Sequence, residues 1–131
     1  MRNLEGARGL LKILELRASL PRRVSATPLY VLLPSLTPTG PTAARDPEFE
    51  AWLLRVTEFF LRRHRPLRTT CLFRSLVRYS MLRDRGVPVR FVMGVQTGAR
   101  ELTGHAWLEL DGEPFMEVLT HRYARTFEYP P

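Results

Sequence analysis

Three side chains, met in chain order, have the types that thiol-based acyl transfer needs: Cys71, His105 and Glu117. Cys71 is the only cysteine of the 131 residues, which excludes an internal disulfide and a multi-cysteine zinc site. It follows Thr69-Thr70, where the sequence pattern opens a helix. In a first turn the helix dipole and unpaired N–H groups stabilise a thiolate, and flanking arginines add to this. The same N–H groups can bind the oxyanion of a tetrahedral intermediate. A cysteine nucleophile needs a base, and His105 lies on a predicted strand. The base in turn needs an acceptor on its far ring nitrogen, and the acids that follow it are Glu109, Asp111, Glu113 and Glu117. Each residue also has a plain structural use: a lone helix cysteine often packs as a small hydrophobe, and hairpin acids often face water. His64 and His121 have no comparable surroundings, so no metal site and no cofactor are expected.

Hairpin register decides which acid faces the base. His105–Leu110 and Glu113–Val118 read as strands around Asp111-Gly112. A two-residue turn sets Ala106 against Glu117 and His105 against Val118. A three-residue loop over Leu110-Asp111-Gly112 sets His105 against Glu117 and Trp107 against Phe115. The second register is favoured, although it makes Glu109 face Glu113.

The elements that must carry these residues follow from hydrophobic periodicity. Leu4, Ala7, Leu11, Leu14 and Ala18 recur at helical spacing, and Pro21 is expected to end that first helix. Val24 to Ala44 is uncharged but broken by Pro28, Pro34, Pro38, Gly40 and Pro41. Its apolar piece, Leu29–Leu33, is too short to span a bilayer and reads as an extended segment leading into a loop. Asp46-Pro47-Glu48 starts a second helix, with Asp as cap, Pro in the first position and acid at the positive dipole end. Phe49, Trp52, Leu53, Val56, Phe59 and Phe60 give it a broad apolar face. A third helix runs from Thr69 or Thr70 to about Arg85, with Gly86 as its C-terminal cap. Leu72, Leu76, Tyr79 and Leu82 face the core, and Arg74, Arg78 and Arg85 share another face. After Pro88 the period changes to two, with Val89, Phe91, Met93 and Val95 on one face of a strand. Helices first and an antiparallel sheet after them make the class α+β. Residues 1–45 read as an N-terminal helix plus a Pro-rich extended segment, and residues 46–131 as the catalytic core of a single domain.

The charge balance is 20 basic against 13 acidic residues, a net +7, and Lys12 is the only lysine among the basic ones. Between Arg62 and Arg90 nine arginines stand against one acid, Asp84. Such density suits an acidic partner, whether a peptide or a nucleic acid, or else a solvated face. Helix-turn-helix, zinc-finger and aromatic-repeat signatures of nucleic-acid binding are absent, so no nucleic acid is expected. Charges at Arg2, Glu5, Arg8, Lys12, Glu15 and Arg17 interrupt every N-terminal apolar run, which argues against a signal peptide and for a cytoplasmic protein.

From Pro66 to Val118 the text resembles the transglutaminase-like cysteine proteases of lasso-peptide biosynthesis, which remove leader peptides. The elements that carry the resemblance are Cys71-Leu72-Phe73-Arg74-Ser75-Leu76 and Leu82-Arg83-Asp84-Arg85-Gly86-Val87. Phe91, Gly94-Val95 and His105-Ala106-Trp107-Leu108-Glu109-Leu110-Asp111-Gly112 complete it. The resemblance implies a papain-like or transglutaminase-like core, with the nucleophile Cys71 at a helix N-terminus and His105 as base. The family's third member is generally an aspartate on the following strand, and the matching position here is Glu117. The resemblance further implies hydrolysis of a ribosomally made precursor through a thioester. A separate leader-recognition protein and an ATP-dependent cyclase are the implied partners, since this chain is too short to include a recognition domain as well. Arg74 and Trp107 are candidate substrate contacts. Arg62, Arg63 and Arg65, with the uncharged stretch 24–44, are candidate docking surfaces. Acyl transfer to an amine on the same fold and a non-enzymatic basic binding module are the alternatives.

Overall fold

A computed structural model describes residues 3–41, 44–62, 70–98, 103–119 and 121–131. Four helices precede four strands: α1 (Asn3–Ala26), α2 (Leu29–Ser35), α3 (Pro47–Arg62), α4 (Thr70–Asp84), β1 (Arg90–Gln96), β2 (Gly104–Leu110), β3 (Glu113–Phe115) and β4 (Tyr123–Tyr129). The strands form one antiparallel sheet in the order β3-β2-β1-β4. The α+β expectation is met. No described helix is long and apolar enough to cross a membrane.

Two expectations for the N-terminal part are corrected. The first helix does not stop at Pro21 but continues to Ala26. Proline lacks one N–H and crowds the carbonyl a turn back, and burial of Leu20 with packing of Val24 on the core holds the helix through it. The stripe Leu4, Leu11, Leu14 is the exposed one; the core takes Ile13, Leu16 and Leu20. Gly9 explains the choice of face. A Cβ there would stand 2.8 Å from the Trp52 ring, so the glycine lets α3 close against α1 on this side. The segment expected to be extended is the two-turn helix α2, entered from Pro28 in the β region and burying Leu32 and Leu33. Thr37 follows it, and its hydroxyl meets Tyr79 Oη at 2.7 Å.

α3 starts as its sequence dictates. Asp46 Oδ1 accepts the N–H groups of Glu48 and Phe49 at 3.1 and 3.2 Å. α4 ends in a Schellman arrangement: Gly86 at φ 79° lets its own N–H reach Arg83 O and the Val87 N–H reach Leu82 O.

The sheet has two unlike faces because side chains alternate along each strand. Phe91 and Met93 of β1, with Ala106, Leu108 and Leu110 of β2, pack into the core under the helices. Pairing of Gly94 with His105, Val92 with Trp107 and Arg90 with Glu109 puts those six on the opposite face. β4 adds Tyr123, Arg125 and Glu128 there, across a bulge at Met93/Gly94. Arg125 joins Glu109 to Glu128, and Glu128 reaches Arg90.

Candidate active site

Cys71 is the second residue of α4 and is half-buried. Positions 71, 74, 75 and 78 form one stripe of that helix. Ser75, one turn below the thiol, donates its hydroxyl to the carbonyl of Ala106 at 3.0 Å, and both groups are buried. Ala106 can accept this bond because β3 pairs only with Leu108–Leu110 and leaves the earlier edge of β2 open. In an antiparallel strand a residue's N–H and C=O point to the same side. The Ala106 N–H therefore faces α4 as well, and it helps lower the Cys71 thiol.

His105 meets two partners. Its Nε2 lies 2.8 Å from Glu117 Oε2, and its ring also interacts with the Cys71 thiol. These contacts raise the imidazole from its ordinary 6.5 to about 9, the thiol contributing first and the carboxylate next, against partial burial. The Cys71 thiol moves the other way, below its ordinary value. The bond to His105 is the main cause, with the Ala106 N–H and the Arg74 charge assisting against desolvation. The two shifts run in opposite senses, both favouring movement of a proton from sulfur toward the imidazole.

The way Glu117 arrives differs from the favoured register. Asp111 (φ 54°) and Gly112 (φ 82°) form a two-residue turn with both residues left-handed, so Leu110 faces Glu113 and Leu108 faces Phe115. Trp107 accordingly does not pair with Phe115. Continued unchanged, this ladder would set His105 against Val118. Instead β3 ends at Phe115, Met116 takes a φ of 66°, and the bend returns the Glu117 carboxylate to the imidazole. Val118 stands 86% exposed. Glu109 and Asp111 do not take this position. Glu109 is buried, accepting Trp107 Nε1 at 3.0 Å and both terminal nitrogens of Arg125 at 2.9 and 2.6 Å. Asp111 occupies the exposed turn.

The remaining candidates fall elsewhere. Trp107 is 2% exposed and cannot offer a face to a substrate, which corrects its candidate binding role. Arg74 is held by Glu58 at 3.2 Å and acts on Cys71 through its charge. Arg63 and Arg65 lie outside the described residues, as does the side chain of Arg62 at the end of α3. Among the described residues no group of three or more His, Cys, Asp and Glu could hold a metal ion.

Two contributors escaped sequence reading. Arg78 is buried on the stripe below Cys71, donating to Thr57 Oγ1 at 2.8 Å and Glu58 Oε1 at 3.0 Å, and its charge acts on Glu117. Only its phase with Cys71 marked it beforehand. Tyr123 of β4 stacks on His105 at 5.3 Å between centroids. The alternation Tyr123, Arg125, Phe127, Tyr129 was the available signal for that strand.

A model of the transglutaminase-like superfamily matches residues 10–128. The chain belongs to the transglutaminase-like superfamily. The match begins within α1 and runs through the sheet, so α2 and most of α1 fall in the transglutaminase-like domain. This superfamily is generally one of cysteine enzymes and includes cysteine proteases. No curated protein and no solved structure matches this transglutaminase-like chain.

Proposed function

We propose that this transglutaminase-like protein is a cysteine peptidase that removes the leader from a lasso-peptide precursor. The observation that carries the reading is His105, held by the Glu117 carboxylate at 2.8 Å and pulling the Cys71 thiol below its ordinary value. The lasso-peptide assignment is supported by the text from Pro66 to Val118, whose residues Arg74, Ser75, Trp107 and Glu109 all bond around this one site.

The chemistry is acyl transfer to water. The Cys71 thiolate attacks the scissile carbonyl carbon, and first-turn N–H groups of α4 face the developing oxyanion. The carbon–nitrogen bond breaks as imidazolium His105 gives its proton to the leaving amine, the new N-terminus of the core peptide. Water then attacks the thioester, His105 takes the proton, the carbon–sulfur bond breaks, and the leader leaves as a carboxylate. Glu117 keeps the imidazole oriented and balances its charge in both steps.

The partners in this reading are a separate leader-recognition protein and an ATP-dependent cyclase. The basic stretch from Arg62 and the exposed Tyr30 and Val31 of α2 are the docking surfaces it invokes. Charge reversal at Arg62, Arg63 and Arg65 should weaken capture of the leader-recognition protein; unchanged binding and cleavage would remove that stretch from the reading.

The test is mass spectrometry of a precursor incubated with this protein and the recognition protein. Leader and core masses that together exceed the precursor by one water, lost in Cys71→Ala, are expected. Complete cleavage by Cys71→Ala would overturn the assignment. A leader carrying an added amine would instead mark an acyltransferase on the same site.

A further inference from the structure

β4 is not a neighbour of β2, yet a β4 side chain touches the base. Adjacent strands lie roughly 4.8 Å apart, so β4 and β2 are separated by about twice that, with β1 between them. A side chain on the intervening β1 residue would block the crossing. That residue is Gly94, paired with His105 on one side and Arg125 on the other. A Cβ at Gly94 would lie 2.7 Å from Ala124 O and 3.1 Å from both the Trp107 ring and Tyr123 Cβ. The glycine is thus a slot in the sheet, and Tyr123 passes over it.

Beyond the slot three rings meet. Tyr123 lies 5.3 Å from His105 with 28° between planes and 5.4 Å from Trp107. His105 and Trp107 run nearly parallel, 5.9 Å apart and 16° between planes, as neighbours two residues apart on one strand. Trp107 is fixed by Glu109, which Arg125 fixes in turn. One side of the imidazole therefore rests on a rigid aromatic floor.

We propose that Tyr123 is a positioning residue for His105, its ring fixing the imidazole between Cys71 and Glu117 and favouring the charged imidazolium. Aromatic faces within about 6 Å attract a cation, and both rings satisfy this distance. The charged and titratable groups around the imidazole are Cys71 and Arg74 of α4, Glu117 after β3, and Arg78 acting on that carboxylate. His121 stands edge-on to Tyr123, and β1 supplies only the uncharged Gly94. The inference concerns the Cys71–His105 pair and rests on the cysteine-enzyme reading, not on the identity of the substrate.

The experiment needs no precursor, because the protein has one thiol. Alkylation of Cys71 by iodoacetamide is followed against pH in wild type, His105→Ala, Tyr123→Phe and Tyr123→Leu, with thermal unfolding alongside. The half-rate pH should rise by roughly 0.4–1.5 units in Tyr123→Leu, the span of a cation–π contact, and stay at the wild-type value in Tyr123→Phe. A leucine variant that melts lower while keeping the wild-type half-rate pH would make Tyr123 a packing residue and overturn the proposal. A half-rate pH unmoved even in His105→Ala would overturn the Cys–His pair itself, which distinguishes the two failures. Should Tyr123→Leu not fold, the His105 ring-proton resonances of the unsubstituted protein decide. Cross-relaxation between them and the Tyr123 ring protons supports the stack, and its absence overturns it.

Discussion

Ser75 and Ala106 fix the seam between helix and sheet: the hydroxyl of one, a turn below the nucleophile, is bonded to the carbonyl of the other, the residue after the base. That contact ties the helix carrying the thiol to the strand carrying the imidazole.

Ser75→Ala leaves the Ala106 carbonyl buried without a partner, at a cost of about 1–3 kcal/mol. Urea unfolding should show this loss. Alkylation of Cys71 at neutral pH should slow in the folded variant, because α4 is no longer held in register with β2.

The pH profile of cleavage should be a bell. Its acid limb reports formation of the thiolate–imidazolium pair, and lies below the ordinary thiol range because His105 holds Cys71 down. Its alkaline limb reports loss of the imidazolium proton near 9. Glu117→Gln removes the carboxylate that helps hold that proton, so the alkaline limb should move to lower pH and kcat should fall by tenfold or more, on the order of general acid–base effects. Steady-state rates across pH with wild type and variant check both limbs.

Arg125→Ala should destabilise the fold by about 2–3 kcal/mol in chemical denaturation, toward the lower end for a broken buried pair because Arg125 itself is half-exposed. Glu109 would stay buried with only Trp107 as partner. Arg125→Lys, which keeps the charge but not the two-nitrogen grip on Glu109, should fall between the two.

Gly94→Ala forces a methyl group against Ala124 O, the Trp107 ring and Tyr123 Cβ. Overpacking of this kind costs about 1–3 kcal/mol, and thermal unfolding should register it. The thiol half-rate pH should rise with it, since the displaced rings are those beneath His105.

Local chemistry made several elements readable. Asp46-Pro47 began α3 and Gly86 closed α4 because caps act within one turn. The two apolar stripes of α1 could not be ranked from periodicity, since the choice hangs on Trp52 meeting Gly9 from a distant helix. Prolines made α2 look extended, although Pro28 precedes it and Pro34 lies in its last turn, where little is lost. Asp111-Gly112 announces the hairpin, but a regular ladder brings Glu117 to His105 only with the longer loop. The chain reaches the same contact through a left-handed Met116, which no pattern of residue types signals. Arg78 and Tyr123 depend on pairings across the fold, the kind of information that spacing along one element does not contain.

The sheet's two borders differ in length, and with it in exposure to other chains. β3 offers three residues before Met116 turns away, whereas β4 is a seven-residue outer strand with no further strand beside it among the described residues. Such an edge invites addition of a foreign strand. Here charge guards it. Arg125 and Glu128 stand along β4, tied into a lattice with Glu109 and Arg90, and Pro130-Pro131 withhold two donors just past its end. The ion pairs that steady the floor under the base therefore also protect the protein from self-templated aggregation, so variants that strip Arg125 should be watched for turbidity as well as for lost thiol reactivity.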